Sequence, residues 1–201
     1  MAYHNITNTN TNTNTNPNYV QHRTLQRYLR HHLSELFERY SKLLMLRVDF
    51  YYRVDSNAWC HADKHSTTAD MILLLQRCNT MTGIVGFTWV LEYTEQHGYH
   101  IHAAFYLNGQ KHRKIWPTFK TLQGLWVEIT REEGCAYRCT PQKYYKVQGE
   151  RVTSHSDLKG RKGMLYILSY LSKADQKGEK VICQLSDIPA PAAVGRRRKT
   201  S

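Results

Sequence analysis

The sequence has no run of about 18 or more apolar residues, and its start lacks the pattern of a secretory signal. We therefore expect a protein that does not span a membrane and that works in the cytoplasm. Cysteine is also scarce, with five residues and no Cys-x-x-Cys pair. Cys60, His61 and His65 lie close together, but no second ligand pair follows at zinc-site spacing. Reduced cysteines are expected rather than a structural zinc, and the role of this small cluster stays open.

Acidic residues are few compared with basic ones. Asp and Glu number 16 against 28 Lys and Arg, which gives a formal net charge of +12. An excess of this size fits a polyanionic partner that is bound in a salt-dependent way. The charge alone is weak evidence, because ribosomal and membrane-surface proteins are basic too.

The length of 201 residues fits one domain with two tails. Residues 1–18 carry a Thr-Asn repeat that cannot bury a core, so this segment is predicted to be disordered. Residues 19–186 would form the folded domain. Residues 187–201 contain two prolines and a run of three Arg and one Lys, which indicates a basic, solvated tail.

Two histidines at 100 and 102 carry the clearest chemical signal. Residues 99–107 are aromatic, β-branched and alternating, which predicts a β-strand. Side chains alternate along a strand, so His100 and His102 point to the same face. The opposite face, with Ile101, Ala103 and Phe105, looks like the core face. Two imidazoles on the other face are typical of a divalent metal site.

The preceding strand offers a third ligand. Residues 87–93 are apolar and strand-like, and residues 94–98 form a turn that ends in glycine, which predicts a hairpin. Depending on the register, Glu92 lies opposite His100 or opposite His102, and both registers keep it on the histidine face. Two nitrogens and a carboxylate with open positions suit Mg²⁺ or Mn²⁺, and no small-molecule cofactor is expected.

A third element lies downstream. Residues 163–175 have helical character, and Tyr166, Tyr170 and Lys173 follow at i, i+4 and i+7, on one helix face. A core helix with two amphipathic tyrosines is the simpler interpretation of this spacing alone. Beside a metal site, however, a tyrosine can attack phosphorus, with a cation to support the developing charge.

The combination of His-x-His with a downstream Tyr-x-x-Lys resembles the HUH endonuclease superfamily of rolling-circle replication initiators and relaxases. The layout is most similar to the inovirus-type initiators of filamentous phages and prophages. Over about residues 20–185 it shares a basic helix, an apolar strand, Trp-x-x-Glu-Tyr at 89–93, Gly-Tyr-His-x-His at 98–102 and Ser-Tyr-Leu-x-Lys-x-Asp at 169–175.

This resemblance implies a role for each matching residue. Glu92, His100 and His102 would be the metal ligands. Tyr170 would be the primary nucleophile and Tyr166 a second one, an assignment that not every relative supports. Lys173 would position or deprotonate the tyrosine, or support the metal site.

The remaining patterns complete the predicted fold. The expected segments are a helix over 20–44, a strand over 44–53, a helix over 71–78 opened by a capping box at 67–70, a helix over 116–132 and a hairpin or strand within 134–158. This order predicts an α+β fold with a central antiparallel sheet and helices packed mainly on one face. The resemblance implies the same arrangement, an HUH or RRM-like fold. The other face would then be open for the metal site and DNA.

The resemblance implies an enzyme that nicks and rejoins single-stranded or origin DNA through a covalent 5′-phosphotyrosine. No Walker A pattern is present, so a host helicase would have to separate the strands. The free 3′-hydroxyl group would prime a host polymerase. Two alternatives stay open: an HUH transposase or relaxase, and a prophage DNA-binding regulator without activity. A cupin or iron oxygenase is disfavoured, because residues 103–112 contain no acid after the His-x-His pair.

Overall fold

The computed structural model describes residues 18–140, 147, 149–175, 177 and 180–190. The predicted N-terminal tail therefore lies outside the described residues except for Asn18, and so does most of the predicted basic C-terminal tail. The elements in chain order are α1 (Arg23–Arg39), β1 (Lys42–Tyr52), α2 (Asn57–His61), α3 (Lys64–Cys78), β2 (Ile84–Thr94), β3 (Gly98–Asn108), α4 (Trp116–Ile129), β4 (Gly134–Arg138), β5 (Thr153–Ser154), α5 (Leu158–Leu168), a 3₁₀ turn (Ser169–Ser172) and β6 (Cys183–Leu185).

One antiparallel sheet forms the centre of the protein. Its strand order is β4-β1-β3-β2-β6, and β5 pairs with β1. Taken without β5 and β6, the strands and the helices α3 and α4 form a β-α-β-β-α-β unit of the split βαβ type. The predicted α+β class with a central antiparallel sheet is confirmed.

The larger core lies on one face of the sheet, where α3 and α4 pack. Leu74 and Met71 of α3 and Leu122 and Trp126 of α4 are fully buried against this face. On β3, the inward residues are those predicted from the alternating pattern, including Ile101 and Phe105. Helices α3 and α4 therefore pack on the face that the alternating pattern predicted to be the core.

The start of α3 differs from the prediction. Its N-cap is Asp63, whose side chain accepts from the backbone of His65 and Ser66, and the Ser66 hydroxyl completes a capping box. The predicted box at 67–70 is wrong, because a better cap lies one turn earlier. Thr67 instead falls inside the helix and is buried.

The second face of the sheet is not open, contrary to the sequence-based expectation. Ala104 and Tyr106, on the same face as the two histidines, are fully buried in a smaller core with Phe37 of α1 and with Met164 and Leu168 of α5. A third small cluster joins residues of α1 to β2 near the site. The site therefore lies beneath helices rather than on an exposed sheet.

Helix α1 is shorter than predicted. It ends at Arg39, and Tyr40 has an extended backbone, so β1 begins at Lys42. The apolar run that follows is buried on both sides of the sheet, and such a run fits a strand as well as a helix. None of the described helices is long and apolar enough to cross a membrane.

Two adjacent leucines can test which side of α3 faces the sheet. Leu74 is fully buried, whereas its neighbour Leu73 is 47% exposed. We expect Leu74→Ala to lower the free energy of unfolding by about 2–5 kcal/mol, because it leaves a cavity. Leu73→Ala should change it by about 0.5 kcal/mol or less. Urea unfolding followed by circular dichroism measures both, and equal losses would contradict this packing.

Candidate metal and tyrosine site

The β2–β3 hairpin places three potential metal ligands together. In the observed register Glu92 pairs with His100 and Val90 with His102, so the first of the two predicted registers is confirmed. Gly98 begins β3 with a φ of +62°, a conformation that favours glycine. The turn chemistry therefore fixes the register that aligns Glu92 with the histidines.

Glu92, His100 and His102 form a buried group that could bind a metal ion. One ligand atom from each residue lies within 4.8 Å of the others. Their exposed fractions are 1%, 7% and 5%. Among the described residues, this is the one group of three or more such side chains arranged to hold a metal.

In both imidazoles Nδ1 already has a polar partner, and this arrangement leaves Nε2 for a metal. His102 Nδ1 lies 2.6 Å from Asp49 Oδ1, and His100 Nδ1 lies 3.0 Å from the carbonyl oxygen of Gly98. If these nitrogens carry the protons, each Nε2 presents a lone pair. His102 Nε2 has no hydrogen-bond partner in the described part of the chain and lies 3.3 Å from Glu92 Oε2. A divalent cation would satisfy both atoms.

Burial also favours neutral imidazole at His100. Removal from water lowers the pKa of this side chain, although the contact with the Gly98 carbonyl opposes the change. A neutral ring keeps the lone pair that a metal needs.

Two lysines neutralise the Glu92 carboxylate. Lys173 Nζ lies 3.1 Å from Oε2, and Lys177 donates to Oε1. Burial would raise the pKa of Glu92, but His102 and the Lys177 ammonium outweigh it and lower the pKa to about 2. The carboxylate is therefore ionised at neutral pH. The sequence analysis missed Lys177, because it follows the recognised segment and carries no periodic pattern.

Arg47 and Asp49 of β1 form the support behind His102. The Arg47 guanidinium donates to Asp49 and to the carbonyl oxygen of Ala103, at 3.2 and 3.1 Å. Burial would raise the pKa of Asp49, but Arg47 and His102 together lower it. The sequence analysis missed both residues. Their signal was present, since they are polar residues two apart in an otherwise apolar strand and so share one face.

Tyr170 lies directly against the candidate metal ligands. Its ring meets His102 edge to face, with 5.1 Å between centroids, and Arg47 lies 5.5 Å from its centroid. Lys173 Nζ lies 3.4 Å from the phenol oxygen. Burial raises the pKa of Tyr170, while the Lys173 ammonium opposes this rise. The phenol, a cation and the metal ligands therefore share one small volume.

The predicted continuous helix through 163–175 is wrong. Helix α5 ends at Leu168, a 3₁₀ turn follows over Ser169–Ser172, and Lys173 lies outside both, with φ −55° and ψ 139°. Because a 3₁₀ helix turns faster than an α-helix, residues spaced for one α-helical face lose their alignment. Lys173 reaches Tyr170 and Glu92 from outside the helix rather than from the predicted face.

Tyr166, unlike Tyr170 and Lys173, does not join the candidate site. It lies on α5 and is partly exposed, and its carbonyl accepts from the Ser169 hydroxyl. Within the described residues, no hydrogen bond or ring contact links its side chain to Tyr170 or to the metal group. The structure thus joins five of the six predicted site residues: Glu92, His100, His102, Tyr170 and Lys173.

Comparisons with known proteins add no family to this geometry. No protein-family model matches the chain, and neither the curated proteins nor the solved structures give a significant match.

The role of Asp49 can be tested through metal affinity. Asp49→Asn keeps the shape but removes the charge that holds His102 and pairs with Arg47. We expect Mn²⁺ to bind about 10–100-fold more weakly, as is typical when the partner of a ligating histidine is lost. Isothermal titration calorimetry measures this, with Asp187→Asn, at an exposed position, as the charge-matched control. Unchanged affinity in Asp49→Asn would show that Asp49 does not orient the ligand.

Proposed function

We propose that this protein is an HUH-type, metal-dependent DNA nickase that initiates rolling-circle replication. The observation that carries the proposal is the position of Tyr170, whose ring packs on His102 while its hydroxyl lies near Lys173. A phenol so placed can act on a phosphodiester held at the metal group. The order of motifs in the sequence supports the same function.

Glu92, His100 and His102 would hold the metal, and the open positions that they leave suit Mg²⁺ or Mn²⁺. When bound, such an ion polarises a phosphoryl oxygen and offsets charge that develops in the reaction. Asp49 fixes the orientation of His102 through the contact at Nδ1. Lys177 holds Glu92 from the side of Oε1.

Tyr170 would be the nucleophile. Its phenol oxygen attacks phosphorus, a new phosphorus–oxygen bond to tyrosine forms, and the bond from phosphorus to the 3′ oxygen breaks. The phenol proton is lost and a proton is gained by the departing 3′ oxygen, so no other reactant is consumed. The products are a 5′-phosphotyrosine and a free 3′-hydroxyl group. The same step run in reverse rejoins the strand.

Lys173 acts as a cation rather than as a base in this scheme. Burial would lower the pKa of its ammonium, but Glu92 and Tyr170 together raise it. The group therefore stays protonated at neutral pH and stabilises the phenolate by hydrogen bonding. Arg47, above the Tyr170 ring, adds a second positive charge.

The partners follow from this chemistry. Single-stranded or extruded origin DNA would be the substrate, and the positive net charge of the protein favours it. The 3′-hydroxyl group would prime a host polymerase, and a host helicase would separate the strands. Tyr166 stays a candidate second nucleophile, which would take over the next strand only after a movement of α5.

The nucleophile can be tested with two matched variants. Tyr170→Phe removes only the hydroxyl, so we expect it to fold, to bind single-stranded DNA and to form no covalent adduct. Tyr166→Phe should still form the adduct, because no hydrogen bond or ring contact joins its side chain to the site among the described residues. A denaturing gel with labelled DNA and Mn²⁺ shows the adduct, and peptide mapping identifies the attached tyrosine. An adduct in Tyr170→Phe that is lost in Tyr166→Phe would reverse the two roles.

The metal can be tested by removal and by mutation. We expect EDTA to abolish nicking and added Mn²⁺ to restore it, because Glu92, His100 and His102 cannot polarise the phosphate without the ion that they hold. His102→Ala should lose Mn²⁺ affinity and activity while its circular dichroism spectrum stays native. Undiminished nicking by His102→Ala would contradict the assigned ligands.

A further inference from the structure

A positively charged groove runs between α1 and α5, outside the candidate metal and tyrosine site. It forms a half-open cavity of about 390 Å³. Arg27 and Arg30 line it from α1, and Arg161 lines it from α5. Ser34 supplies a hydroxyl group, and Leu165 contributes apolar surface.

The charge of the groove has one sign. Its lining includes three guanidinium groups and no carboxylate, within the part of the chain that the structure describes. One acid, Glu35, lies 3.5 Å from the ring of His31, which is also part of the lining. Guanidinium groups gathered in a concave surface favour an anion with several oxygen atoms, and phosphate is the anion that they match best.

One of these arginines is held in place by the fold. The Arg161 guanidinium donates to the carbonyl oxygen of His155 at 3.2 Å and lies 5.0 Å from the centroid of the Phe37 ring. A cation fixed in this way loses little conformational freedom when it meets a ligand. The groove is thus partly organised for an anion before any ligand binds.

The groove and the candidate nucleophile lie on the same segment of the chain. Leu165 of α5 precedes Tyr170 of the following 3₁₀ turn by five residues, a rise of about 8 Å along the segment. The start of α1 is tied to the same segment, since the backbone N–H of His22 donates to the carbonyl oxygen of Ser172 at 2.7 Å. The two helices that form the groove therefore both lead to the site.

We propose that this groove binds the phosphate backbone of the single-stranded DNA strand on which Tyr170 acts. The inference rests on the proposed function and deepens it by placing the strand. A concave groove of this volume fits a unit of nucleotide size, with its phosphate at the arginines and its sugar or base against leucine. A flat membrane surface would not enter it.

The test compares two double variants with the same change in charge. Arg27→Gln/Arg30→Gln alters the groove, and Arg39→Gln/Arg113→Gln alters exposed arginines outside it. Binding of a fluorescein-labelled single-stranded DNA of mixed sequence is followed by anisotropy in EDTA, over a range of KCl concentrations. EDTA keeps the strand uncut, so binding is measured apart from chemistry.

We expect the groove variant to bind about tenfold more weakly at low salt. The slope of log K against log salt should fall by about 1.4, since each lost phosphate contact contributes about 0.7. The control variant should stay within about twofold of the unmodified protein. In nicking assays, the groove variant should need more DNA for half-maximal rate and keep its rate at saturation.

Three other outcomes would separate the groove from the proposed nickase activity. Equal losses in the two double variants would overturn the groove and leave the proposed nickase standing if the adduct still forms. If only the groove variant loses DNA binding and the unmodified protein forms no adduct, the groove binds DNA but the proposed nickase activity is wrong. A loss seen with phosphatidylglycerol vesicles but not with DNA would overturn the inference in favour of a membrane ligand.

Discussion

The burial of the Glu92 carboxylate is the constraint on which the rest of the site depends. An isolated charge in an apolar sheet costs several kcal/mol, so it has to be neutralised by groups that the fold brings to it. Here those groups are Lys173 and Lys177, which contact its two oxygens, and His102 beside them. The C-terminal segment is therefore held to the β2–β3 hairpin by charge as well as by packing.

This pairing explains why the site is closed rather than open. The segment that carries Tyr170 and the two lysines crosses the histidine face of the sheet, and α1 closes over it. The backbones of Gln21 and Lys173 form an isolated antiparallel β-bridge, and the Ser172 hydroxyl donates to the Gln21 side chain. Leu25 and Leu29 of α1 pack beside Leu171 in a small apolar cluster. The Tyr170 ring, which packs against Tyr19 and His102, is therefore partly shielded from bulk water.

The sequence was sufficient for the parts of the fold that depend on local patterns. Alternation along 99–107 predicted the core face, and the hairpin ending in Gly98 placed Glu92 on the histidine face, opposite His100 or His102; the structure has it opposite His100. Other features depend on contacts between segments far apart in the chain. Lys177 reaches Glu92 across the fold, and nothing near Lys177 in the sequence signals it. The change from α-helix to 3₁₀ turn after Leu168 likewise depends on tertiary packing.

Strand β1 carries a sequence signal for residues that support the site. Arg47 and Asp49 interrupt an apolar strand at alternate positions, which places two opposite charges on one face of a buried sheet. Charged groups in such a place need a reason, and the observed one is the support of His102 and the contact with Tyr170. Opposite charges two residues apart in a central strand are therefore a useful guide to residues that support a site.

The balance of charge at the site supports the proposed anionic substrate. With their usual charges, Arg47, Lys173 and Lys177 carry three positive charges against two negative charges on Asp49 and Glu92. A divalent ion would raise this excess further, in a buried space where excess charge is costly. The anionic oxygens of a phosphodiester would compensate it at the position that Tyr170 already faces. The cations that stabilise Glu92 in the free protein would then stabilise the charge of the reacting phosphate.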